Sequence, residues 1–184
     1  MRKFIPNRIS GFTLIEILIV LAMISIMVSL VSVSVSEAMN ASRSTSGKAT
    51  LIGALTRARS FAASGNVDVV LCPSVDNKTC SSGFHWENGW IGFAAIDAGS
   101  DRTGNDPLLL QQGPLLHGMH LVTTKGRTRI RFQPSGGNAG SNVTFTFCDG
   151  RGPKAATAYA MSNAGNLHPT QPMPANVAEA CAGL

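Results

Sequence analysis

One stretch near the amino terminus constrains this chain more than any other. From Phe12 to Val35 the sequence is almost wholly apolar, first as Phe12-Thr13-Leu14-Ile15-Glu16-Ile17-Leu18-Ile19-Val20-Leu21-Ala22-Met23-Ile24, then through Leu30 and an alternation of Val and Ser. As a helix it would extend about 36 Å, enough to cross a bilayer. Arg2, Lys3 and Arg8 precede it in a short polar segment, and basic flanks of this kind keep the amino terminus cytoplasmic. No A-x-A-like cleavage site follows the apolar run, so it does not read as an ordinary secretory signal. Glu16 is the anomaly. A carboxylate at that depth costs on the order of 2.5–3.5 kcal/mol on insertion scales, which makes it a functional candidate.

The remainder fits one head of ordinary size. The chain has 184 residues, 14% charged and 6% aromatic, with nineteen glycines and nine prolines. Sparse charge of both signs argues against a disordered chain, and the Gly/Pro content points to turns and short strands. A multi-domain enzyme, a coiled coil and a multi-span transporter are disfavoured. The formal charge of +5 is partly a property of the first segment: three of the fifteen Lys/Arg lie there, leaving twelve against ten Asp/Glu. Net charge therefore lends little support to nucleic-acid binding.

The hydrophobic pattern divides the chain into 1–11, a basic leader; 12–36, an apolar helix; 37–65, an amphipathic continuation; and 66–184, a β-rich head. In the continuation Leu51, Ile52, Leu55, Ala58, Phe61 and Ala62 recur at helical spacing opposite Lys48, Thr56, Arg57 and Arg59, and Gly65 is a stop signal. Gly47 and Gly53 are points of weakness. Six segments read as strands: 67–71, 90–96, 108–112, 127–133, 143–148 and 156–161. The segment His168–Pro174 is expected to be irregular and extended. The fold class is α+β: a long hydrophobic helix with an antiparallel sheet packed on its second half.

Cys72, Cys80, Cys148 and Cys181 contain no C-x-x-C pair and no zinc spacing. In an exported head they read as two disulfides. Of the three connectivities, Cys72–Cys80 with Cys148–Cys181 is favoured: the first closes a short loop, and the second ties a Pro-rich tail to a strand. Catalytic signals are weak. His85, His117, His120 and His168 form no metal-like set with acidic residues, no nucleophile elbow or phosphate loop is visible, and Trp86 and Trp90 read as sheet packing. No enzyme, cofactor or metal is indicated. In Lys125-Gly126-Arg127-Thr128-Arg129-Ile130-Arg131-Phe132, strand alternation would place Arg127, Arg129 and Arg131 on one face about 6–7 Å apart, a spacing suited to successive phosphates.

Gly11-Phe12-Thr13-Leu14-Ile15-Glu16, in register with the basic leader and apolar helix, resembles the processing motif of type IV pilins and type II secretion pseudopilins. Leu71-Cys72-Pro73-Ser74, Asn88-Gly89-Trp90-Ile91-Gly92-Phe93, Phe147-Cys148-Asp149-Gly150-Arg151-Gly152 and Ala160-Met161-Ser162-Asn163-Ala164-Gly165 narrow the resemblance to the FimT/FimU minor pilins, a branch related to the pseudopilin GspH. The resemblance implies cleavage between Gly11 and Phe12 by a prepilin peptidase and N-methylation of Phe12. It also implies docking through Glu16, whose carboxylate would meet the new amino group of a neighbouring subunit. A single-pass inner-membrane protein with a periplasmic head is implied, later transferred to a pilus among other minor pilins at the filament tip. The expected function is a structural minor pilin that helps initiate or cap assembly. Two alternatives are a DNA receptor for uptake and a minor pseudopilin of type II secretion. DNA-binding members of the branch carry G-R-x-R after the final strand. Gly126-Arg127-Thr128-Arg129 matches that string but precedes Phe147-Cys148-Asp149-Gly150, and the corresponding place reads Gly165-Asn166-Leu167-His168. DNA binding is not transferred on the motif. A patch assembled otherwise, with Arg151 and Lys154, stays open. Many pilins also carry a proline partway along the helix, whereas here none occurs between Pro6 and Pro73.

Overall fold

The computed structural model describes residues 11–138, 140 and 142–184, without the side chains of 30–34. The leader expected over 1–11 thus lies outside the described residues except for Gly11. The chain divides into two compact units, with the boundary between Ala38 and Met39.

Helix α1 (Leu14–Gly65) starts at Thr13. The Glu16 backbone N–H donates to the Thr13 hydroxyl at 3.3 Å and to its carbonyl at 3.1 Å, so Thr13-Leu14-Ile15-Glu16 supplies the acceptor half of a capping box. The helix continues unbroken through Gly47 and Gly53. At its end Asn66, not Gly65, takes the left-handed conformation (φ 49°), a position Asn tolerates better than most residues. Between Leu14 and Ser29 the apolar side chains are exposed. That described stretch is about 24 Å long at helical rise, short of a ~30 Å bilayer core. Among the described residues no helix is long and apolar enough to cross a membrane.

The head holds two four-stranded antiparallel sheets. One has the order β3 (Leu108–Gln112), β2 (Trp90–Ala94), β1 (Val69–Pro73), β5 (Ile130–Phe132). The other runs β4 (Met119–Thr123), β6 (Val143–Asp149), β7 (Thr157–Met161), β8 (Leu167–Thr170). Leu51, Ala54, Leu55, Ala58 and Ala62 of α1 form one core with Leu71, Trp90, Ile130, Phe132, Leu121, Phe145 and Phe147, so the helix packs on the inner faces of both sheets. Ile52 and Phe61 do not join this stripe: at 100° per residue they sit about 80–100° from its centre, and Phe61 is 41% exposed. A Cβ at Gly47 would come 2.5 Å from the sulfur and methyl of Met119, so a larger residue there makes the end of that side chain shift.

Each sheet also has a covered outer face. Val70, Cys72, Ile91, Phe93 and Ala95 form a second core with Cys80 and Leu108. Val122, Cys148 and Ala180 form a third, capped by α2 (Pro174–Ala180) with Phe84 and Cys181. This explains why β1 is buried at every position and reads as a continuous apolar run. Cys72 bonds Cys80 and Cys148 bonds Cys181, with Cα separations of 5.5 and 5.3 Å; each disulfide closes one of these outer layers.

Three segments differ from the sequence expectation. β4 arises where Gly113–His120 offers neither helical nor clean strand signals, because Leu121 and Val122 are buried on opposite faces. The expected irregular tail supplies β8 and then α2, which begins on Pro174, proline being preset for a first helical turn. The strand expected over 127–133 shrinks to Ile130–Phe132. Gly126 (φ 83°) closes a turn and the Arg127 N–H donates to the Thr124 carbonyl, so residues 127–129 are drawn away from the ladder.

Candidate functional site

At the amino-terminal site the residues are presented rather than enclosed. Phe12 is 78% exposed and Leu14, Ile15, Ile17 and Leu18 are also exposed, leaving an apolar helix surface on more than one side. Glu16 stands in the first turn, where a carboxylate is favoured by the helix dipole and can complete the cap. Its position thus gives it a local role at the helix terminus. Sequence reasoning misses Thr13 as a functional residue; its signal is the Thr-x-x-Glu spacing.

A second constellation joins the head to α1. Asn40, Ser44 and Lys48 recur every four residues, so they share one helix face. Against that face lies the turn Asp149-Gly150-Arg151. A Cβ on Gly150 would come 2.8 Å from the Asn40 Nδ2. Asp149 is buried and binds Arg151 in a fork, Nε to Oδ1 at 2.9 Å and Nη2 to Oδ2 at 2.7 Å, while the Arg151 backbone N–H donates at 3.0 Å. The Arg151 side-chain hydrogen bonds, aided by its N–H and the Ser44 hydroxyl, hold the Asp149 carboxyl below its ordinary range despite burial. Stability from a depressed carboxyl is present above the unfolded value of about 4 and is lost as pH falls through the folded one. Asp149→Asn should cost about 2 kcal/mol at pH 7, the scale of a charge-assisted pair, with the gap to the parent closing below about pH 4. Denaturant melts of both forms at pH 7 and pH 3 check this; a gap unchanged at pH 3 sinks it.

The arginine row does not form. Arg129 pairs with Asp101 and donates to the Ser81 and Thr128 carbonyls at 3.0 and 2.9 Å. Arg131 pairs with Asp68 at 2.9 Å and donates to the carbonyls of Ala98 and Gly99. Both guanidiniums thus pin the loop after β2 and the disulfide loop onto the sheet. Arg127 is exposed in the preceding turn, and Lys154 is exposed on a short 3-10 turn (Pro153–Ala155) after Arg151. Elsewhere Arg59, expected on the polar face of α1, reaches the Gly165 carbonyl at 3.3 Å and the Asn166 Oδ1 at 3.2 Å. It staples the helix to the β7–β8 turn. The histidines also act locally: His85 faces Glu87 at 2.9 Å, and the His120 ring meets the Ala180 carbonyl at 3.0 Å. Among the described residues no three His, Cys, Asp or Glu side chains are grouped to hold a metal ion.

A long amino-terminal helix whose second half packs on antiparallel sheets, with its apolar first half exposed, is the architecture of a pilin-like subunit. The sequence matches the family described as Type II transport protein GspH over residues 49–165, and the chain belongs to that family. The prokaryotic N-terminal methylation motif matches over residues 6–32. Among solved structures the fold is similar to the type IV minor pilin FimU of Pseudomonas aeruginosa in two crystal forms. Sequence identity is 16% in each, TM-scores are 0.56 and 0.54, and 70% and 69% of this chain match 88% and 92% of those chains. The minor pseudopilin EpsH from the Type 2 Secretion System of Vibrio cholerae matches with 15% identity and a TM-score of 0.48 over 71% of this chain and 98% of that one. No curated protein matches.

Proposed function

We propose that this chain is a minor type IV pilin, a non-catalytic structural subunit that helps initiate or cap a pilus. One observation carries the reading: the match to the methylation motif over residues 6–32 spans Gly11, Phe12 and the start of an exposed apolar helix whose third residue is Glu16. On this reading a prepilin peptidase cuts between Gly11 and Phe12, Phe12 is N-methylated, and residues 12–36 serve first as a single-pass inner-membrane anchor, then as filament core. The freed ammonium of one subunit and the Glu16 carboxylate of the next neutralise each other in an apolar surrounding, which neither tolerates alone. The head stays periplasmic until assembly moves it to the cell surface. The FimU-like fold supports the pilus setting.

The family description, Type II transport protein, favours a second reading, a minor pseudopilin in a secretion filament. Mass spectrometry of the chain recovered from sheared pili tests the first. The expected species begins at a singly methylated Phe12. A chain absent from pili but present in secretion filaments moves the assignment to the second reading, and an uncut chain sinks both. Uptake of DNA is not adopted, because Arg129 and Arg131 are occupied by Asp101, Asp68 and backbone carbonyls.

A further inference from the structure

An open groove of about 310 Å³ runs beside α1 on the head. Buried Leu55, Phe132 and Met161 form its floor and half-buried Ile52 and Leu167 its sides, while Arg59 is the one charged residue that lines it. The Arg59 Nη1 donates to the Gly165 carbonyl and the Asn166 Oδ1, both neutral acceptors. A Cβ at Gly136 would stand 3.1 Å from Nε and 3.4 Å from Nη2, so the bare backbone there leaves the other edge of the guanidinium uncrowded. Among the described residues no carboxylate pairs with it. The segments that build the groove, 48–63, 130–138 and 161–167, contain no Asp or Glu. Their other cations point elsewhere: Arg131 is paired with Asp68, Arg57 lies about 160° around α1 from Arg59, and Lys48 lies about 16 Å along it. The groove therefore presents a positive charge without a counter-charge.

The complement to this groove stands on the turn after β2. Among the large apolar side chains exposed on the head, Val75 and Ile96 adjoin a carboxylate residue. Asp76 beside Val75 is tied to Ser74, Lys78 and Thr79. Asp97 beside Ile96 is exposed and, among the described residues, its side chain makes no hydrogen bond or ion pair. Ile96 is 59% exposed. The turn that displays the two is held firmly: the Ala95 N–H donates to the Asp68 carbonyl at 2.8 Å, the Ile96 N–H to the Asp106 Oδ1 at 3.0 Å, and Arg131 to the carbonyls of Ala98 and Gly99. Ala98 closes it at φ 55°, a left-handed position that alanine rarely takes and that marks functional sites when its surroundings enforce it.

We infer that the groove of one head receives the 95–98 turn of a second copy of this chain, with Ile96 on the apolar floor and Asp97 against Arg59. Charge and shape both commit the groove to such an occupant. One cation beside an apolar floor suits one carboxylate beside one apolar side chain, whereas a nucleic-acid backbone is held by several cations and gains nothing from the floor. Groove and turn are different patches of the head, so the contact is heterologous and repeats from copy to copy. It deepens the filament reading and rests on it for what brings the heads together. One isoleucine and one ion pair associate weakly in dilute solution, but subunits tethered in one assembly meet at an effective concentration on the order of millimolar.

The test uses the full chain in detergent micelles, concentrated to about 1 mM, with a benzophenone photo-cross-linker in place of Ser60, which is exposed beside Arg59 and outside the groove lining. Mass spectrometry should find a cross-linked dimer joined at 95–98. Ile96→Ser and Asp97→Asn, both at exposed positions, should each lower its yield at least about fivefold. Asp97→Asn added to Arg59→Gln should lower it no further, the mark of a direct pair. A dimer joined elsewhere, a yield blind to both turn variants, or no dimer at all overturns the contact. In illuminated cells a cross-link to a different pilin, in place of a second copy, overturns it as well and hands the groove to that subunit. The micelle measurement needs no filament, so it can fail for a chain still recovered from pili cut and methylated at Phe12, and the two readings are judged apart.

Discussion

Glu16→Ala is expected to leave the chain in the membrane and processed, yet to reduce its recovery in filaments by a hundredfold or more. The magnitude follows from the cost of leaving one partner of a buried pair uncompensated, about 3–5 kcal/mol. The capping geometry makes the experiment sharper. Because Glu16 is the third helical residue after the Thr13 cap, the position from which a capping-box side chain can reach back, alanine removes that capability as well as a charge. Glutamine keeps a capping-box side chain and drops only the charge. Glu16→Gln should therefore fail as badly as Glu16→Ala in filament recovery, measured beside membrane fractionation of the same cells. Normal incorporation of the glutamine form would leave the docking role without support and reduce Glu16 to a helix cap.

The second large effect is expected from removing the Cys148–Cys181 disulfide. Its partners are 33 residues apart, and closing a loop of that size stabilises by about 3–4 kcal/mol in the chain-entropy account. For a head of this size that corresponds to roughly 10 °C in melting temperature. Helix α2 is seven residues long, too short to persist alone. Without the bond it depends on Ala180 in the third core, the His120 contact with the Ala180 carbonyl, and the Lys125–Glu179 pair at 3.3 Å. Replacing Cys148 and Cys181 by serine should lower the melting temperature and open 174–184 to protease. Replacing Cys72 and Cys80, eight residues apart, should cost less, about 2.5 kcal/mol. The reverse order in paired thermal melts would refute this ranking.

The amino-terminal helix and the helix-on-sheet class are legible because both rest on long apolar patterns, which local sequence carries in full. The favoured cysteine pairing is legible for a similar reason: loop length and a drifting tail are local facts. β4 and α2 are not, since Met119–Thr123 and Pro174–Ala180 are specified by what they cover, Phe84 and Cys148 across the outer face of a sheet. The arginine row fails on the same ground. Alternation assumes that a strand forms, and here Asp101 and Asp68, both far from 129–131 in sequence, capture the guanidiniums first. Periodicity points Arg59 outward, yet its long stem lets the charge reach a turn more than a hundred residues away. Asp149 is visible only as part of a motif; its clasp on α1 needs the fold to bring Ser44 and Asn40 beside it.

That clasp has a mechanical consequence. The boundary between the compact units falls immediately before Met39 and Asn40, so under the proposed assembly tension pulled along the helix first meets tertiary contacts of the head at Asn40, Ser44 and Lys48. The turn that receives it follows Cys148, which is bonded covalently to Cys181. Load arriving at Asp149 is therefore shared between β6 and α2 instead of peeling one strand from its neighbours, and what joins α1 to the turn is non-covalent, the Ser44 hydroxyl on Asp149 and Asn40 against Gly150, so it can re-form when the pull is released.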